Sequence, residues 1–185
     1  MLNKPKYQFK LQESVTFLFK WILISIFVGS LSGSASAWFL IFLKWAGEYR
    51  NDHIWLIAFL PVAGFLVALS YKYLGKDVQK GNNQLIEEIQ KPNKLIPLIM
   101  APLVLIGTVV THLFGGSAGR EGTAVQMGGS IADQLSKYIK FSEFERKLLI
   151  MSGISAGFAS VFGTPWAGAI FALEIVFIGK IKADA

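Results

Sequence analysis

Long uncharged segments constrain the fold of this chain more than any other feature. Residues 21–43, 54–71, 95–119 and 148–173 contain no Asp, Glu, Lys or Arg, and about 20 apolar residues suffice to cross a bilayer as a helix. Charged residues make up only 16% of the sequence, against about 25% in a soluble domain. Because lipid offers the backbone no hydrogen-bond partners, such segments must form helices that satisfy their own. We therefore predict an all-α, polytopic membrane protein.

Proline and glycine interrupt several of these segments, which predicts tilted and discontinuous helices. At Gly163-Thr164-Pro165 we expect one helix to end and another to begin at the proline. The prediction divides the chain into a cytoplasmic N-terminal segment at 1–20, a membrane domain at 21–179 and a polar tail at 180–185. The candidate helices of the membrane domain are 21–47, 54–74, 82–90, 95–114, 120–138, 143–162 and 165–179.

The net charge of +6 is explained by where the basic residues lie. They cluster before the first apolar run, after the second run and around residues 137–147. This is the cytoplasmic bias of membrane proteins, and it predicts a cytoplasmic N-terminus. Nucleic-acid binding would need a basic stripe with interleaved aromatic residues, which the sequence lacks. We expect a lipid bilayer around the chain and no nucleic-acid partner.

The residue types argue against the common metal and redox sites. The sequence has no cysteine, and therefore neither a disulfide nor a thiolate ligand. Its two histidines, His53 and His112, are too few and too scattered for a zinc centre built on histidine. We expect no metal and no cofactor.

The segment 115–129, GGSAGREGTAVQMGG, joins two apolar runs and combines glycine with adjacent opposite charges. Glycine lets the backbone bend sharply and approach a ligand closely, and charges at membrane depth usually mark function. A helix that begins here would direct the free N–H groups of its first turn at an anion. We expect Gly119, Arg120, Gly122 and Thr123 to contribute to such a site.

A second candidate helix end lies at Gly81, Asn82 and Asn83. Asparagine is a good helix cap, and its side chain adds amide donors. The predicted helix 82–90 is too short to span a membrane, since Pro92 follows it. It is either a cytoplasmic surface helix or a half-helix inside a protein-lined cavity, and the residues alone leave both interpretations open.

Glu121 is the sharpest single candidate. A carboxylate at a helix N-terminus competes with an anion for the same N–H groups, and once protonated it can swing away and carry a proton. The alternative is that Glu121 pairs with Arg120 or caps its own helix; an arginine at this place is typical of a structural contact. His112 and Glu174 are secondary polar candidates, as packed polar residues or as parts of a proton route.

Two enzyme motifs match only in part. A P-loop requires Gly-Lys followed by Ser or Thr, whereas here Gly122 is followed directly by Thr123. The pattern Gly-x-Ser-x-Gly occurs at 115–119 and 153–157, but no histidine follows either serine to complete a triad. We expect no enzymatic activity and no catalytic residues.

Residues 119–128, GREGTAVQMG, closely resemble the Gly-Arg-Glu-Gly-Pro signature of the CLC chloride channels and proton-coupled antiporters. Residues 163–174, GTPWAGAIFALE, resemble the helix that follows in that family, with the same order and spacing. The resemblance runs from about the first predicted span to residue 185. It implies a fold of two inverted halves of discontinuous helices, of which this chain matches the N-terminal half.

The resemblance also implies roles for particular residues. Glu121 stands at the place of the external gating glutamate. Residues 81–85 stand where chloride-type members carry Gly-Ser-Gly-Ile-Pro, so the helix 82–90 becomes a pore helix and Asn82 replaces the ion-contacting serine. Asn82 and Thr123 depart from the chloride pattern and are similar to the bacterial branch that exchanges fluoride for protons. Ile175 stands where chloride exchangers carry an internal glutamate, which the fluoride branch also tends to lack.

On this resemblance we expect proton-coupled fluoride export across a bacterial inner membrane, by a protein that is a homodimer when complete. A chloride channel or chloride/proton antiporter is the alternative within the class. Because the family's second half supplies the other pore helix and an ion-contacting tyrosine, we expect the chain to be partial, with a truncation near 180–185. A hypothesis of another class is a non-transporting half-transporter or scaffold, which predicts no anion flux from residues 1–185 alone.

Overall fold

A computed structural model describes the backbone of residues 6–183 and the side chains of residues 14–175. The described chain is helical and contains no strand, which confirms the predicted all-α class. Short 3₁₀ segments lie at Ile54–Phe59, Lys76–Val78 and Gln134–Lys137. The seven α-helices of residues 6–183 are α1 (Lys6–Asp52), α2 (Leu60–Tyr73), α3 (Asn82–Gln90), α4 (Met100–Leu113), α5 (Arg120–Asp133), α6 (Glu143–Phe162) and α7 (Pro165–Ala183).

Helix α1 begins well before the predicted boundary. The separate segment expected at 1–20 is helical from Lys6 onward. Residues 1–5 of this segment lie outside the described chain, and so do residues 184–185 of the predicted tail. No proline occurs after Pro5 in this region, so nothing in the sequence interrupts the helix. Lys20 pairs with Glu145, which attaches the early part of α1 to the first turn of α6.

The packed face of α1 differs from the expected stripe of small residues. The four-residue spacing of Gly29, Gly33 and Ala37 in the sequence predicts that this face of the helix packs closely against a neighbour. Gly29 has open space beside it, Ala37 is exposed, and Gly33 alone approaches a neighbour, the Ser160 hydroxyl. The buried face lies beside this stripe and consists of Ile24, Val28, Ser32, Ser36, Phe39 and Ala46. Large side chains, chiefly Phe39, therefore share the contact surface of α1 with small ones such as Ser32 and Ser36.

Prolines set several of the other helix boundaries. The predicted helix 54–74 divides into a 3₁₀ turn and α2, with Pro61 in the first turn of α2. Helix α4 begins at Met100, and not at residue 95, because Pro97 removes a donor and restricts the residue before it. Helix α7 begins at Pro165, after Gly163 closes α6 in the left-handed conformation with φ = 66°. The predicted helix 120–138 ends earlier, at Asp133, and continues as a 3₁₀ turn.

Helices α5 and α6 approach each other more closely than side chains would allow. A Cβ atom placed on Gly128 would lie 2.1 Å from the Gly153 carbonyl oxygen, and one on Gly157 would lie 2.2 Å from the Ala124 carbonyl oxygen. Ala124, Gly128 and Ala132 of α5 are buried, and their four-residue spacing puts these small residues on one helix face. The pair of helices forms the centre of the structure, and α1, α4 and α7 pack around it.

Two helical stretches within the described residues are long and apolar enough to cross a membrane, Ser14–Asp52 and Ile54–Tyr73. Most of their side chains are exposed, including large apolar ones such as Phe19, Ile26 and Phe65. A contiguous apolar exterior of this size is what a lipid-facing surface requires. The helical fold with its apolar exterior is that of the predicted polytopic membrane protein.

We predict that Gly153→Ala lowers the stability of the protein although alanine is the better helix former. The new Cβ would lie 2.3 Å from the Gly128 carbonyl oxygen and 2.5 Å from the Ala132 Cβ atom. Overpacking of this kind costs about 1–3 kcal/mol, more than the gain of about 1 kcal/mol in helix propensity. Thermal unfolding in detergent, followed by tryptophan fluorescence, measures the effect.

Gly29→Ala is the matched control, because no atom lies within 4 Å of a Cβ built on Gly29. Its unfolding temperature should stay at or above that of the unsubstituted protein. Equal unfolding temperatures for the two variants would contradict the close α5–α6 contact.

Candidate functional site

The N-terminus of α5 carries the charged residues of the glycine-rich segment. Gly119 precedes the helix in an extended conformation, and no side chain caps it. The N–H groups of Arg120, Glu121 and Gly122 lie in the first turn, where a helix offers them no acceptor of its own, and no loop contact of the described chain supplies one. Arg120 and Glu121 are both exposed. This helix end presents free donors and a positive dipole end.

Arg120 and Glu121 do not pair with each other. Neither side chain forms an ion pair or a hydrogen bond with any residue of the described chain. The predicted alternative, in which Glu121 is neutralised by Arg120 or caps α5, therefore has no contact to support it. Glu121 is an exposed, unpaired acid in the first turn of α5.

The N-terminus of α3 is built differently. Gly81 adopts φ = 56° and precedes the helix. The backbone N–H of Asn83 donates to the Lys80 carbonyl oxygen and that of Gln84 donates to the Gly81 carbonyl oxygen, both at 3.1 Å. Two of the donors in this first turn are therefore already used. The exposed side chains of Asn82 and Asn83 supply the free amide groups at this end.

The two predicted helix ends lie against each other. A Cβ placed on Gly122 would lie 3.3 Å from the Asn82 amide nitrogen, and one on Gly81 would lie 3.4 Å from the Gln126 amide nitrogen. Both glycines therefore leave room for an amide of the facing helix. The sequence analysis did not single out Gln126. Its spacing of four residues from Gly122 puts the two on one helix face, which is the signal that could have identified it.

The Thr123 side chain contacts α4, whereas the neighbouring Gly122 lies near Asn82 of α3. Its hydroxyl donates to the Gly119 carbonyl oxygen at 3.0 Å and lies 2.7 Å from the Thr108 hydroxyl of α4. Since the Thr123 hydrogen is used on Gly119, Thr108 must be the donor between the two hydroxyls. The buried Thr123 side chain thus braces Gly119 against α4, and any anion contact from this residue would come from its backbone.

The secondary polar candidates, His112 and Glu174, lie in different surroundings. His112 Nδ1 hydrogen-bonds to the Thr108 carbonyl oxygen of its own helix at 2.9 Å. Glu174 is exposed on α7. Ile175, which the resemblance aligned with an internal glutamate, is buried and packs in one apolar cluster with Leu85 and Ile89 of α3. An apolar contact therefore occupies the place where chloride exchangers are expected to hold a proton-carrying acid.

A buried charge cluster holds the far ends of α3 and α5. Arg146 of α6 donates two hydrogen bonds of 2.8 Å to the carboxylate of Asp133, which is fully buried. Its third nitrogen lies 3.2 Å from Glu88 of α3. The bidentate geometry is the strongest arrangement available to an arginine and a carboxylate. Sequence reasoning assigned Arg146 only to a cytoplasmic basic cluster, because its partners are distant in the chain.

The same cluster fixes the loop between α3 and α4. Glu88 accepts the N–H groups of Asn93 and Lys94, and Asp133 accepts that of Ile96 at 2.8 Å. Gln134 donates to the Ile96 carbonyl oxygen at 2.8 Å. A cleft of about 430 Å³ lies beside this loop and α3, and its lining includes Lys76, Lys80, Gln84 and Lys94.

Comparisons with known proteins agree on one family. The family model described as voltage gated chloride channel matches residues 63–185. A chloride/fluoride channel protein of Pseudomonas syringae pv. tomato is 55% identical over 173 residues, which are 94% of this chain and 38% of that protein. An H⁺/Cl⁻ exchange transporter of Vibrio cholerae is 27% identical over 84% of this chain and 36% of that protein.

Among solved structures, the crystal structure of a CLC-type fluoride/proton antiporter matches with a TM-score of 0.78 and 41% sequence identity. The match covers 82% of this chain and 38% of the antiporter chain. The chain thus spans less than two fifths of the length of these relatives. This share agrees with the prediction that it corresponds to one half of the family's fold.

We predict that Arg146→Met strongly destabilises the protein. It would leave the Asp133 carboxylate buried without its cation, and breaking a buried pair in this way costs about 3–5 kcal/mol. Thermal unfolding in detergent should therefore begin at a much lower temperature. Lys80→Met is the control, because the Lys80–Glu87 pair is exposed and such pairs contribute at most about 1 kcal/mol. Similar unfolding temperatures for both variants would show that the cluster does not hold the fold.

Proposed function

Because this chain belongs to the voltage-gated chloride channel family, we propose that it contributes one wall of an anion pathway in a proton-coupled fluoride exporter. Glu121 is the gate and the proton carrier in this proposal. Lipid surrounds the protein in a bacterial inner membrane, the N-terminus lies in the cytoplasm, and the complete protein is a homodimer. Fluoride and protons are the transported ions.

The observation that carries the proposal is the meeting of the α3 and α5 N-termini. The Asn82 amide nitrogen lies 3.3 Å from the Cβ position of Gly122, so donors from two helices converge on one point. The Asn82 amide and the backbone N–H groups are neutral. Neutral donors and helix dipoles bind an anion without holding it as tightly as a full positive charge would, which is what passage through a membrane requires.

The unpaired carboxylate of Glu121 supports its role as gate. It lies in the first turn of α5, where the free N–H groups would attract either the carboxylate or an anion. A deprotonated Glu121 competes with the anion for these donors, whereas a protonated one releases them and carries a proton away. Anion movement and proton movement are thereby coupled through one side chain.

Two residues favour fluoride over chloride in this proposal. They are Asn82, and Ile175, which stands where the resemblance puts the internal glutamate of chloride exchangers. An amide at position 82 presents N–H donors to a small, strongly hydrated anion, where the chloride pattern has a hydroxyl. The fluoride/proton antiporter of known structure is 41% identical, whereas the Vibrio H⁺/Cl⁻ exchange transporter is only 27% identical. The family description and the Vibrio relative support chloride channel or chloride/proton antiporter activity as the second candidate.

We predict that Glu121→Gln lowers proton-coupled fluoride transport by about 100-fold or more, the usual contribution of a positioned proton donor. Glutamine keeps the size of the side chain and cannot release a proton at neutral pH. The measurement is fluoride efflux together with proton uptake in liposomes that contain the protein expressed from its natural gene.

Glu143→Gln is the control, because Glu143 is also an exposed acid in the first turn of a helix, α6. It should transport at the original rate. If coupled transport is unchanged in Glu121→Gln, Glu121 is not the gate.

We predict that Asn82→Ser shifts selectivity toward chloride by about tenfold, since one hydrogen bond to an ion is worth at least about 1.5 kcal/mol. The ratio of fluoride to chloride flux in the same liposomes measures the shift. Asn51→Ser changes an exposed asparagine near the end of α1, outside the candidate site, in the same way and should leave the ratio as it was. If the ratio of fluoride to chloride flux is the same in both variants, Asn82 does not determine selectivity.

A further inference from the structure

We infer that the segment 137–144 is a binding surface for anionic phospholipids, which holds the start of α6 at the level of the lipid headgroups. The segment joins the 3₁₀ turn Gln134–Lys137 to the first turn of α6. The positive-inside rule explains on which side of the membrane its lysines lie, but not what they bind. Such a surface goes beyond the proposed function, since it depends on the membrane fold and on no particular transported ion.

The contacts of Lys20 indicate the depth of the segment. Lys20 is the last charged residue before the uncharged run 21–43, so it marks the point where α1 passes from the headgroups into the hydrocarbon. Lys20 pairs with Glu145, and its ammonium group lies 5.3 Å from the centre of the Phe141 ring. Trp21 packs beside the same ring, with the ring centres 6.4 Å apart. Residues 141 and 145 therefore lie at the membrane surface, and the segment lies there with them.

Large apolar side chains of the segment are exposed. Tyr138 is 85% exposed and Phe144 is 64% exposed, and Ile139, which lies between them in the sequence, is also exposed. Contact of such a patch with water is unfavourable. A tyrosine at headgroup depth directs its apolar ring toward the hydrocarbon and keeps its hydroxyl in the polar layer. The segment therefore suits a lipid surface better than an aqueous one.

The charges around these side chains favour anionic lipids. Glu145 pairs with Lys20, and Arg146 pairs with the buried Asp133. The residues from 137 to 147 that form no ion pair within the described chain are three lysines and one acid, Lys137, Lys140, Lys147 and Glu143. Two positive charges are therefore in excess. An anionic headgroup neutralises this excess, whereas a phosphocholine headgroup carries its own cation and gains less.

The opposite end of α1 provides a natural contrast. Trp45 and Tyr49 are exposed and stacked there, so this end also carries interfacial aromatic residues. Two bases and two acids accompany them and balance in charge, namely Lys44, Arg50, Glu48 and Asp52. Aromatic residues at this end are therefore combined with no excess of positive charge.

The test measures lipid binding to the purified natural protein by native mass spectrometry in detergent. Dioleoyl phosphatidylglycerol and dioleoyl phosphatidylcholine are the probes, which differ only in their headgroups. In Lys137→Gln/Lys140→Gln we expect the phosphatidylglycerol Kd to rise about 30-fold, since each lysine near an anionic surface contributes about a factor of five. The phosphatidylcholine Kd should change by less than about twofold. Lys137→Arg/Lys140→Arg keeps both charges and should bind phosphatidylglycerol as the unsubstituted protein does.

Lys44→Gln/Arg50→Gln is the matched control, because it also removes two positive charges but does so at the balanced end of α1. Its phosphatidylglycerol Kd should rise by no more than about threefold. An equal rise in the two glutamine variants would mean that only the overall charge matters, and it would overturn the inference. An unchanged Kd in Lys137→Gln/Lys140→Gln would do the same.

Hydrogen exchange then locates the lipid. The backbone N–H groups of residues 138–142 should exchange more slowly in nanodiscs that contain equal parts of the two lipids than in nanodiscs of phosphatidylcholine alone. Equal and fast exchange in both would show that the lipid binds elsewhere, and equal and slow exchange would show that another part of the protein covers the segment; either result overturns the inference. Neither measurement involves anion flux, so a failure of fluoride transport would count against the proposed function alone.

Discussion

The bidentate ion pair between Arg146 and Asp133 sets the geometry on which the candidate site depends. It joins the start of α6 to the end of α5, and the adjacent Glu88 adds the end of α3. Since the far ends of α3 and α5 are fixed to one guanidinium, their N-termini are fixed relative to each other as well. The donors at the junction come from residues close to Gly81 and Gly122, but their spacing is determined by charges at the other end of the same helices.

The parts of the structure that could be predicted from sequence are those that depend on local chemistry. Uncharged segments predicted helices, and Pro165 with Gly163 predicted the break between α6 and α7, because proline and glycine act on their own backbone. The start of α1 at Lys6 was missed. The basic residues suggested a boundary near residue 20, but no proline after Pro5 interrupts the helix there. The packed face of α1 was also missed, because small residues are only one way to build a helix contact.

Tertiary contacts explain the residues that sequence reasoning did not find. Arg146 acquires its role from Asp133 and Glu88, which lie 13 and 58 residues away in the chain. Gln126 is noticeable only when α3 lies against α5. Glu121 could be named as a candidate because its own segment is unusual, and the structure adds that it forms no pair with Arg120. The two helix ends also differ: α5 offers mainly backbone donors, whereas α3 offers mainly the side chains of its asparagines.

The contact of Gly128 with Gly153 has a mechanical consequence. Each glycine lies against the carbonyl group of the other helix, so a shift of α5 along α6 would bring Cβ-bearing neighbours of one helix into the backbone of the other. The contacts between Gly128 and Gly153 therefore prevent α5 from sliding along α6. In the proposed function, the pathway on this side would therefore open by rotation about side-chain bonds, chiefly those of Glu121, while the backbone that carries it stays still. A gate of this kind moves a few atoms through a few ångströms, and its speed is set by proton exchange and rotamer hopping.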